Sequence, residues 1–374
     1  MSKLEELIQQ YCPDGVEYVK IGQIAQVGTG SSNGNEAEDN GEYPFFVRSQ
    51  TVKRKNDYEY DEEAIIIPGE GGIGDIFHYI NGKYALHQRV YRIHFTTPSV
   101  NTKFAFYYLK SAFKQFILTK AVSATVVSIR KPMIEGFSIP IPPLPVQEEI
   151  VRILDSFAEL QAELQAELQK RLQQYEYYRD KLLSFNELSS KGGQVVSVEW
   201  KKLGEITTIL RGKRLTKSQL SNDKPYAVYH GGLEPLGYYE SANRTANTTM
   251  IINVGASAGT IGYSKEDFWS SDGCYCVEHS KLFDDRYIYY VLQTQEQQLK
   301  SKVRVAGIPT LDRPVVEDLL VPIPPLTEQQ RIVNILDRFD ALTTDITAGL
   351  PAEIEARCKQ YEYYRDKLLT FKQK

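Results

Sequence analysis

The chain lacks several short motifs by which enzymes are recognised. It has no HExxH, no phosphate-binding P-loop and no Asp/Asn-Pro-Pro-aromatic motif of the kind that amino-methyltransferases use. A GxGxxG match at Gly69, Gly71 and Gly74 follows an apolar run. The residues after it predict a strand and a turn, whereas a dinucleotide site needs the start of a helix there. We therefore expect a protein that is not itself an enzyme.

Cysteines are few, and long apolar runs are missing. The four cysteines, Cys12, Cys274, Cys276 and Cys358, form no CxxC pair. Cys274 and Cys276 lie two apart in a strand-like run without further ligands at zinc spacing, so packing explains them better than a metal. No stretch approaches eighteen apolar residues, and the N-terminus lacks a signal-peptide core. These features predict a cytoplasmic protein with no metal and no membrane span.

Neither sign of charge is in large excess. The formal net charge is −4, which argues mildly against non-specific nucleic-acid binding. Two local clusters are basic, RSQTVKRK at 48–55 and RGKRLTK at 211–217. Solvated surface and phosphate contact explain such clusters equally well.

Three phrases occur twice in the 374 residues. QYEYYRDKLL occurs at 174–183 and again at 360–369, so it ends the helical tail of each half of the chain. The proline-rich phrases at 139–157 and 321–339 match, as do the fainter ones at 16–24 and 198–206. The chain is therefore two tandem copies of one unit. A protein built in this way usually binds a target that is itself bipartite.

The first proline phrase leads into a predicted long helix. No Gly or Pro occurs over 146–185, and apolar residues recur every three or four positions. At about 1.5 Å per residue this helix spans roughly 60 Å. The second helix repeats the pattern, but Gly349 and Pro351 should break or kink it. We expect the two helices to pair antiparallel; the alternative is that each apolar stripe packs on its own globular part.

The tetrapeptide AELQ occurs three times in succession at 158–169. It is either simple helix-favouring sequence or a spacer whose length changes by whole repeats. One repeat adds about 6 Å and about one helical turn, so the apolar stripe nearly keeps its face.

Each globular part ends in a matched stretch, at 123–144 and 305–326. Small and hydroxyl residues precede Lys131-Pro132 in one and Arg313-Pro314 in the other, and an acidic residue follows. Both stretches predict a loop that leads into a short helix. Such a loop can approach a phosphate or a base edge, and a simple structural turn fits equally well.

With these duplicated phrases, the whole chain resembles the specificity subunit of a type I restriction-modification system. The resemblance rests on the two PIPPL-x-x-Q/E-Q/E runs, the two long helices and the two YxYYRDKLL endings. The expected fold is α+β, with two pseudo-symmetric α/β target recognition domains joined by two long helices that pair as an antiparallel coiled coil. The expected segments are the first body (1–145), a central helix (146–186), the second body (187–326) and a C-terminal helix (327–374).

The resemblance implies a non-catalytic DNA-recognition protein of a bacterium or archaeon. Each body would bind one half of a split, asymmetric site in double-stranded DNA, and the helices would set the gap and hold two methyltransferase subunits. Those partners would carry S-adenosylmethionine for adenine methylation, and motor-nuclease restriction subunits would use ATP and Mg. The chain itself would hold no cofactor. Its near-neutral bodies imply weak DNA binding without the partners.

Candidate contact residues follow from side-chain chemistry, since Arg and Gln bind guanine and adenine edges in a bidentate manner and Lys more often binds phosphate. The DNA-binding candidates of the first body are Arg48, Ser49, Gln50, Lys53, Arg54, Lys55, Gln88, Arg89, Thr125, Ser128 and Arg130. Those of the second body are Arg211, Lys213, Arg214, Lys217, Tyr229, His230, Arg244, Thr310 and Arg313. The partner-binding candidates are Tyr175, Tyr178, Arg179, Tyr361, Tyr364 and Arg365, for which packing between helices is the alternative.

Two other classes of function stay open. A protein-binding coiled-coil scaffold would show no salt-dependent affinity for DNA in the presence of a methyltransferase. A lone DNA-modifying enzyme would need a cofactor site, and binding of S-adenosylmethionine by the purified chain would favour it.

Overall fold

The structure is a computed structural model that describes residues 2–72, 74–120, 128–185, 198–344 and 348–374. The chain divides into two units, one of Met1–Gln165 with Ile354–Lys374 and one of Ala166–Glu353. Each unit holds one body together with part of each long helix. The units do not test the predicted division into four segments, which stays a prediction.

Helices and strands follow one another in a similar order in the two halves of the chain. The helices are α1 (Lys3–Tyr11), α2 (Ile21–Ile24), α3 (Thr102–Lys120), α4 (Lys131–Glu135), α5 (Leu144–Ser184), α6 (Leu203–Ile206), α7 (Asp285–Thr294), α8 (Glu296–Ser301), α9 (Arg313–Glu317), α10 (Leu326–Thr344) and α11 (Leu350–Leu368). The strands are β1 (Tyr18–Lys20), β2 (Ala25–Thr29), β3 (Tyr43–Phe46), β4 (Lys53–Lys55), β5 (Tyr60–Pro68), β6 (His78–Leu86), β7 (Val90–Phe95), β8 (Ser138–Pro140), β9 (Glu199–Lys202), β10 (Ile209–Arg211), β11 (Tyr226–Tyr229), β12 (Gly237–Tyr239), β13 (Thr248–Ile252), β14 (Ile261–Ser264), β15 (Trp269–Ser270), β16 (Cys274–Val277) and β17 (Leu320–Ile323).

The two bodies share one sheet topology. In the first body the strand order is β2-β7-β5-β6-β3-β4, and only the β3–β6 pair of that sheet is parallel. In the second body the orders are β10-β16-β13-β14 and β12-β11-β15, with β11 parallel to β15. This is the same order with the counterpart of β6 divided into β14 and β15, where Ser264 and Glu266 form a side-chain-bonded turn.

Continuous apolar runs form the central strands because both faces of these strands are covered. Residues 64–67 of β5 are fully buried, and every residue of β13 is buried. The residues after the GxGxxG letters form a turn and strand β6, as predicted, so no helix N-terminus follows them. The predicted short helices after Lys131 and Arg313 are confirmed as α4 and α9.

The first proline phrase contains a buried glutamine, Gln147, that bonds the backbone around it. Gln147 has no exposed surface. Its Nε2 donates to the carbonyl of Ser99 at 2.8 Å and to that of Pro142 at 2.6 Å. Its Oε1 accepts from the backbone N–H of Asn101, just before α3, at 2.8 Å. One amide thus satisfies three backbone groups where the proline run, α3 and α5 meet.

The second proline phrase repeats this arrangement. Gln329 is equally buried, and its Nε2 donates to the carbonyls of Leu282 (3.1 Å) and Pro324 (2.8 Å). Its Oε1 accepts from the N–H of Asp284, the N-cap of α7, at 2.8 Å. The duplicated glutamine therefore fixes the start of the body helix against the long helix in both units.

A tyrosine–carboxylate hydrogen bond is also duplicated. Tyr107 of α3 donates to Asp155 of α5 at 2.6 Å, and Tyr290 of α7 donates to Asp337 of α10 at 2.5 Å. Both tyrosines are buried, while the Asp155 and Asp337 side chains are 26% and 46% exposed. Each body is thus attached to the beginning of the long helix that follows it.

The long helix α5 spans 41 residues without a break, as predicted. The second helix is interrupted, also as predicted: α10 ends at Thr344, residues 348–349 form a turn and bend, and Pro351 lies in the first turn of α11. In the first unit Phe157 of α5 stacks on Tyr364 at 5.6 Å, and Gln161 contacts Cys358. The contacts run in opposite directions along the two helices, which confirms antiparallel pairing within that unit.

The first turns of each long helix pack on the body that precedes them, which is the alternative considered for the apolar stripe. Ile150 and Leu154 lie in a buried cluster with Phe104 of the first body, and Ile332 and Leu336 lie in the core of the second. The apolar stripe therefore packs first on its own body and then on the partner helix.

Candidate nucleic-acid interface

Three loops of the first body are joined by main-chain hydrogen bonds beyond the end of β5. Gly69 donates its N–H to the carbonyl of Arg89 at 3.0 Å, and Ile129 donates to the carbonyl of Gly69 at 2.9 Å. A Cβ at position 69 would lie 3.0 Å from the ring of Tyr91 and 3.1 Å from the Arg89 carbonyl, so glycine permits this close approach. We call residues 69–70, 87–89 and 128–130, together with Arg48 beside Glu70, the first loop site.

The second body contains the same junction. Asn253 donates its N–H to the carbonyl of Gly273 at 3.1 Å, and Leu311 donates to the carbonyl of Asn253 at 2.9 Å. We call residues 253–254, 271–273 and 304–312, together with His230 beside Asp272, the second loop site. The matching hydrogen bonds align Glu70 with Val254, Gln88 with Asp272 and Arg89 with Gly273.

The first loop site brings two predicted arginines together through the carboxylate of Glu70, a residue that was not among the sequence candidates. Arg48 Nη1 lies 3.1 Å from Glu70 Oε2, and Arg89 Nη1 lies 2.9 Å from the same oxygen. The hydrogen bonds from Arg89, and then those from Arg48, hold the pKa of Glu70 below its usual value. Glu70 therefore stays ionised at neutral pH, and the bridge persists there.

A groove of about 400 Å³ runs along the first loop site. It unites residues that are far apart in the sequence, and the predicted Gln88, Arg89, Ser128 and Arg130 all line it. Gln88 donates to Asn33 Oδ1 at 2.8 Å. The full lining is Gly69, Glu70, Gln88, Arg89, Tyr91, Ser128, Ile129 and Arg130.

A buried histidine lies behind the groove. His87 is 6% exposed, and its Nδ1 accepts from the backbone N–H of Arg89 at 3.0 Å. Burial, followed by the charges of Arg48 and Arg89, lowers the pKa of His87. A neutral ring can keep this acceptor, so His87 fixes the backbone from which Arg89 projects.

The other candidates of the first body lie in and around β4. Lys55 contacts Glu36 at 2.8 Å and Asp57 at 3.0 Å, and its side chain is only 12% exposed, so it holds neighbouring loops together. Arg54 donates to the carbonyls of Gly41 and Glu42, and Ser49 donates to Thr51 O at 2.8 Å. Gln50 and Lys53 are exposed. Thr125 lies outside the described residues.

In the second body, His230 is the candidate that lies at the second loop site together with Thr310. His230 Nδ1 is 3.4 Å from Asp272 Oδ1. Thr310 contributes a main-chain pair with Arg304, at 2.9 and 3.0 Å, that closes a hairpin. Arg313 is paired with Glu317 at 2.7 Å within α9.

The remaining candidates of the second body do not line this junction as a set. Arg244 donates to the carbonyls of Asn243 (2.6 Å) and Arg211 (3.1 Å), so it supports the β10 edge. Tyr229 packs edge-on against Phe268 at 5.5 Å. The other basic candidates, Arg211, Lys213, Arg214 and Lys217, are exposed.

Two apolar side chains at the tip of the Arg304–Thr310 hairpin were not among the candidates from the sequence. Val305 is 80% exposed and Ile308 is 71% exposed, the largest values among the exposed large hydrophobic side chains of the described residues. They flank Gly307, which has a φ of 87°. In the sequence, the apolar residues around Gly307, just before Arg313-Pro314, could have indicated an exposed apolar turn.

One enzyme motif also occurs by letter, because Gly255–Gly259 reads GASAG and so matches GxSxG. A hydrolase uses this motif at a sharp turn between a strand and a helix. Here the segment is a turn between strands β13 and β14, so it does not present Ser257 in that way. Among the described residues no cluster of three or more His, Cys, Asp or Glu side chains has the arrangement of a metal site.

The candidate partner-binding tyrosines pack between helices within each unit. Tyr178 stacks on Phe339 at 5.7 Å, as Tyr364 does on Phe157. Tyr175 donates to Gln293 at 3.0 Å, and burial raises its pKa above the usual value. Tyr178 and Tyr364 remain 38% and 36% exposed, so part of each ring faces outward. A docking role for this set stays a prediction.

Comparisons with known proteins agree with the duplicated architecture. The family model for the type I restriction modification DNA specificity domain matches twice, at 13–174 and 196–356. A Haemophilus influenzae protein named as a type I restriction enzyme specificity subunit is 31% identical over 361 residues, covering 88% of this chain and 89% of that protein. The Escherichia coli EcoR124I/EcoR124II specificity subunit is 35% identical over 251 residues, covering 61% of this chain and 60% of that protein.

A solved structure shows the same fold. The S subunit of a type I restriction-modification system from M. genitalium has a TM-score of 0.68 at 19% identity, covering 96% of this chain and 97% of that one. Among the described residues, no helix is both long and apolar enough to span a membrane. Because the family model covers most of the sequence in two copies, the chain belongs to the type I restriction-modification specificity subunits, which recognise DNA sequence and are not enzymes.

Proposed function

We propose that this specificity subunit recognises a bipartite, asymmetric DNA target, with one half-site bound by each loop site, and directs adenine methylation and restriction by its partner subunits. The observation that carries the proposal is the pair of loop sites. Each has the same main-chain hydrogen bonds, and each has different side chains at the aligned positions. The same backbone arrangement with different side chains is suited to two half-sites of different sequence.

The side chains support different half-sites. The first loop site offers Arg48, Gln88 and Arg89, which are suited to purine edges. The second offers His230 and Asp272 together with an exposed apolar hairpin, which is suited to amino groups and thymine methyls. Exposed Lys53 and Lys213 are suited to phosphate, which fixes position rather than sequence.

The duplicated helices support two copies of one partner. The outward parts of Tyr178 and Tyr364 belong to repeated phrases, so two equivalent surfaces are available for two methyltransferase subunits. In this proposal those subunits supply S-adenosylmethionine chemistry, and the restriction subunits supply the chemistry of ATP and Mg.

The test is methylation sequencing of DNA from cells that express the chain with its methyltransferase partner, against cells that lack the chain. The expected result is a new split motif with methylated adenines on opposite strands. If the complex assembles and no new motif arises, the proposal is wrong. A protein-binding scaffold would then be the better account of the paired helices.

A further inference from the structure

The bridge between Arg48 and Arg89 uses one nitrogen of each guanidinium. Glu70 accepts from Nη1 of Arg48 at 3.1 Å and from Nη1 of Arg89 at 2.9 and 3.1 Å. Among the described residues, neither arginine makes another side-chain hydrogen bond. The side chains are 47% and 56% exposed, so Nε and Nη2 of both remain available to a ligand.

A carboxylate at this position argues against a phosphate site. Glu70 is 37% exposed between the two arginines, and an incoming phosphate would meet its negative charge at close range. For a phosphate ligand this repulsion opposes any benefit of holding the arginines in place. A base edge is uncharged, so a ligand of that kind does not incur this repulsion.

Guanine fits the donors that remain. Its major-groove edge carries two acceptors, N7 and O6, and a single guanidinium binds both in a bidentate manner. A guanidinium that is already held in one orientation loses less conformational freedom on binding than a free one does. Glu70 supplies this restraint to both arginines at once.

The backbone around Arg89 is restrained as well. Its N–H donates to the buried His87, and its carbonyl accepts from Gly69. Arg89 is therefore fixed at its backbone by two loops and at its side chain by Glu70. A position that must recognise one base edge benefits from this degree of restraint.

We infer that the first body recognises a half-site containing guanine through Arg48 and Arg89, and that Glu70 is the specificity-determining residue that positions both guanidinium groups. The inference rests on the proposed function, because it assigns part of the base recognition that the function requires. Glu70 acts through the two arginines, so it is a positioning residue.

The second body offers an internal control. Its aligned positions are Val254 and Gly273, so it has neither the carboxylate nor the second arginine. A Cβ at position 273 would lie 2.6 Å from Val254 and 2.7 Å from His230, which leaves no room for a larger side chain. The second half-site should therefore be independent of changes at Glu70.

The experiment is methylation sequencing of the assembled complex with Glu70→Gln, Arg89→Lys or Asp61→Asn. Glu70→Gln keeps the shape but removes the charge that holds the arginines. Arg89→Lys keeps the positive charge but removes bidentate geometry. Asp61→Asn is the charge-matched control, because Asp61 is exposed at the opposite end of β5.

We expect both Glu70→Gln and Arg89→Lys to lower discrimination at guanine positions of the first half-site by roughly 5- to 100-fold, the range for loss of one bidentate contact. The second half-site and the Asp61→Asn pattern should not change. Because the second half-site is measured on the same molecules, it shows that each variant is folded and assembled.

Two results would overturn the inference while leaving the proposed function intact. One is a wild-type first half-site without guanine. The other is full discrimination retained by Glu70→Gln or by Arg89→Lys, which would show that this residue does not determine recognition of guanine. Absence of any split motif in the wild-type complex would instead contradict the proposed function itself.

Discussion

The two bodies share the same main-chain hydrogen bonds at their loop sites and differ in the side chains at the aligned positions. Both place a strand end, a loop before the next strand and a loop before a short helix in the same main-chain hydrogen bonds. The first body presents Glu70 and Arg89 there, and the second presents Val254 and Gly273. Backbone hydrogen bonds, which do not depend on side-chain identity, thus keep the geometry constant while the contact residues change.

Where each body meets its long helix, by contrast, the side chains themselves are the same in the two units. Gln147 and Gln329 keep both their identity and their partners, as do Tyr107 and Tyr290. These four side chains are themselves buried, and each bonds a backbone group or a carboxylate at the same place in its unit, so few alternatives fit. In this protein, residues that are identical in the two halves therefore attach each body to its long helix. Residues that differ between the halves lie at the loop sites.

The largest expected effect comes from removing either buried glutamine. Gln147→Leu and Gln329→Leu each remove the partner of three backbone groups, of which the proline carbonyl is buried, so we expect each to lower the free energy of unfolding by about 3 kcal/mol. Chemical denaturation of the full chain measures this. Exposed Gln330→Leu is the matched control. If the two variants lower the free energy of unfolding by clearly different amounts, the two junctions are not equivalent.

A smaller and unequal effect is expected at the tyrosine–carboxylate bonds. Asp155 also binds Lys103, which is 38% exposed, whereas Asp337 also binds Arg286, which is only 12% exposed. Asp337→Asn should cost about 2 kcal/mol, since it weakens a buried guanidinium contact. Asp155→Asn should cost about 1 kcal/mol. Thermal unfolding of the two variants tests the order, and a larger loss for Asp155→Asn would refute it.

The smallest expected effect on recognition is that of deleting one AELQ repeat from 158–169. The deletion removes about 6 Å of helix, so we expect the gap between half-sites to change by fewer than two base pairs. Both half-site sequences should persist in methylation sequencing. A changed half-site sequence would mean that the helix does more than set spacing.

Periodicity was sufficient to predict the long helices, because a stripe without Gly or Pro permits little else. Gly349 and Pro351 predicted the break in the second helix, and the matched Lys-Pro and Arg-Pro stretches predicted the short helices that begin at Lys131 and Arg313. These features depend on local sequence, which is why they were accessible. The pairing of strands that are distant in sequence, such as β3 with β6, was not.

The candidate contact residues were predicted less completely, since contact depends on tertiary structure. Residue type alone selected Arg48 and Arg89 but not Glu70, whose role is evident only when three loops meet. It also selected Lys55, which the structure places in ion pairs with Glu36 and Asp57. Basic residues are common in loops, and only packing separates those that support a loop from those that face a ligand.

The central claim is that each loop site determines one half-site independently of the other. Methylation sequencing of complexes carrying Arg89→Ala or His230→Ala tests it most directly. The account predicts that Arg89→Ala relaxes only the first half-site and that His230→Ala relaxes only the second. If either variant alters both half-sites equally, or if neither variant alters any, the claim is contradicted.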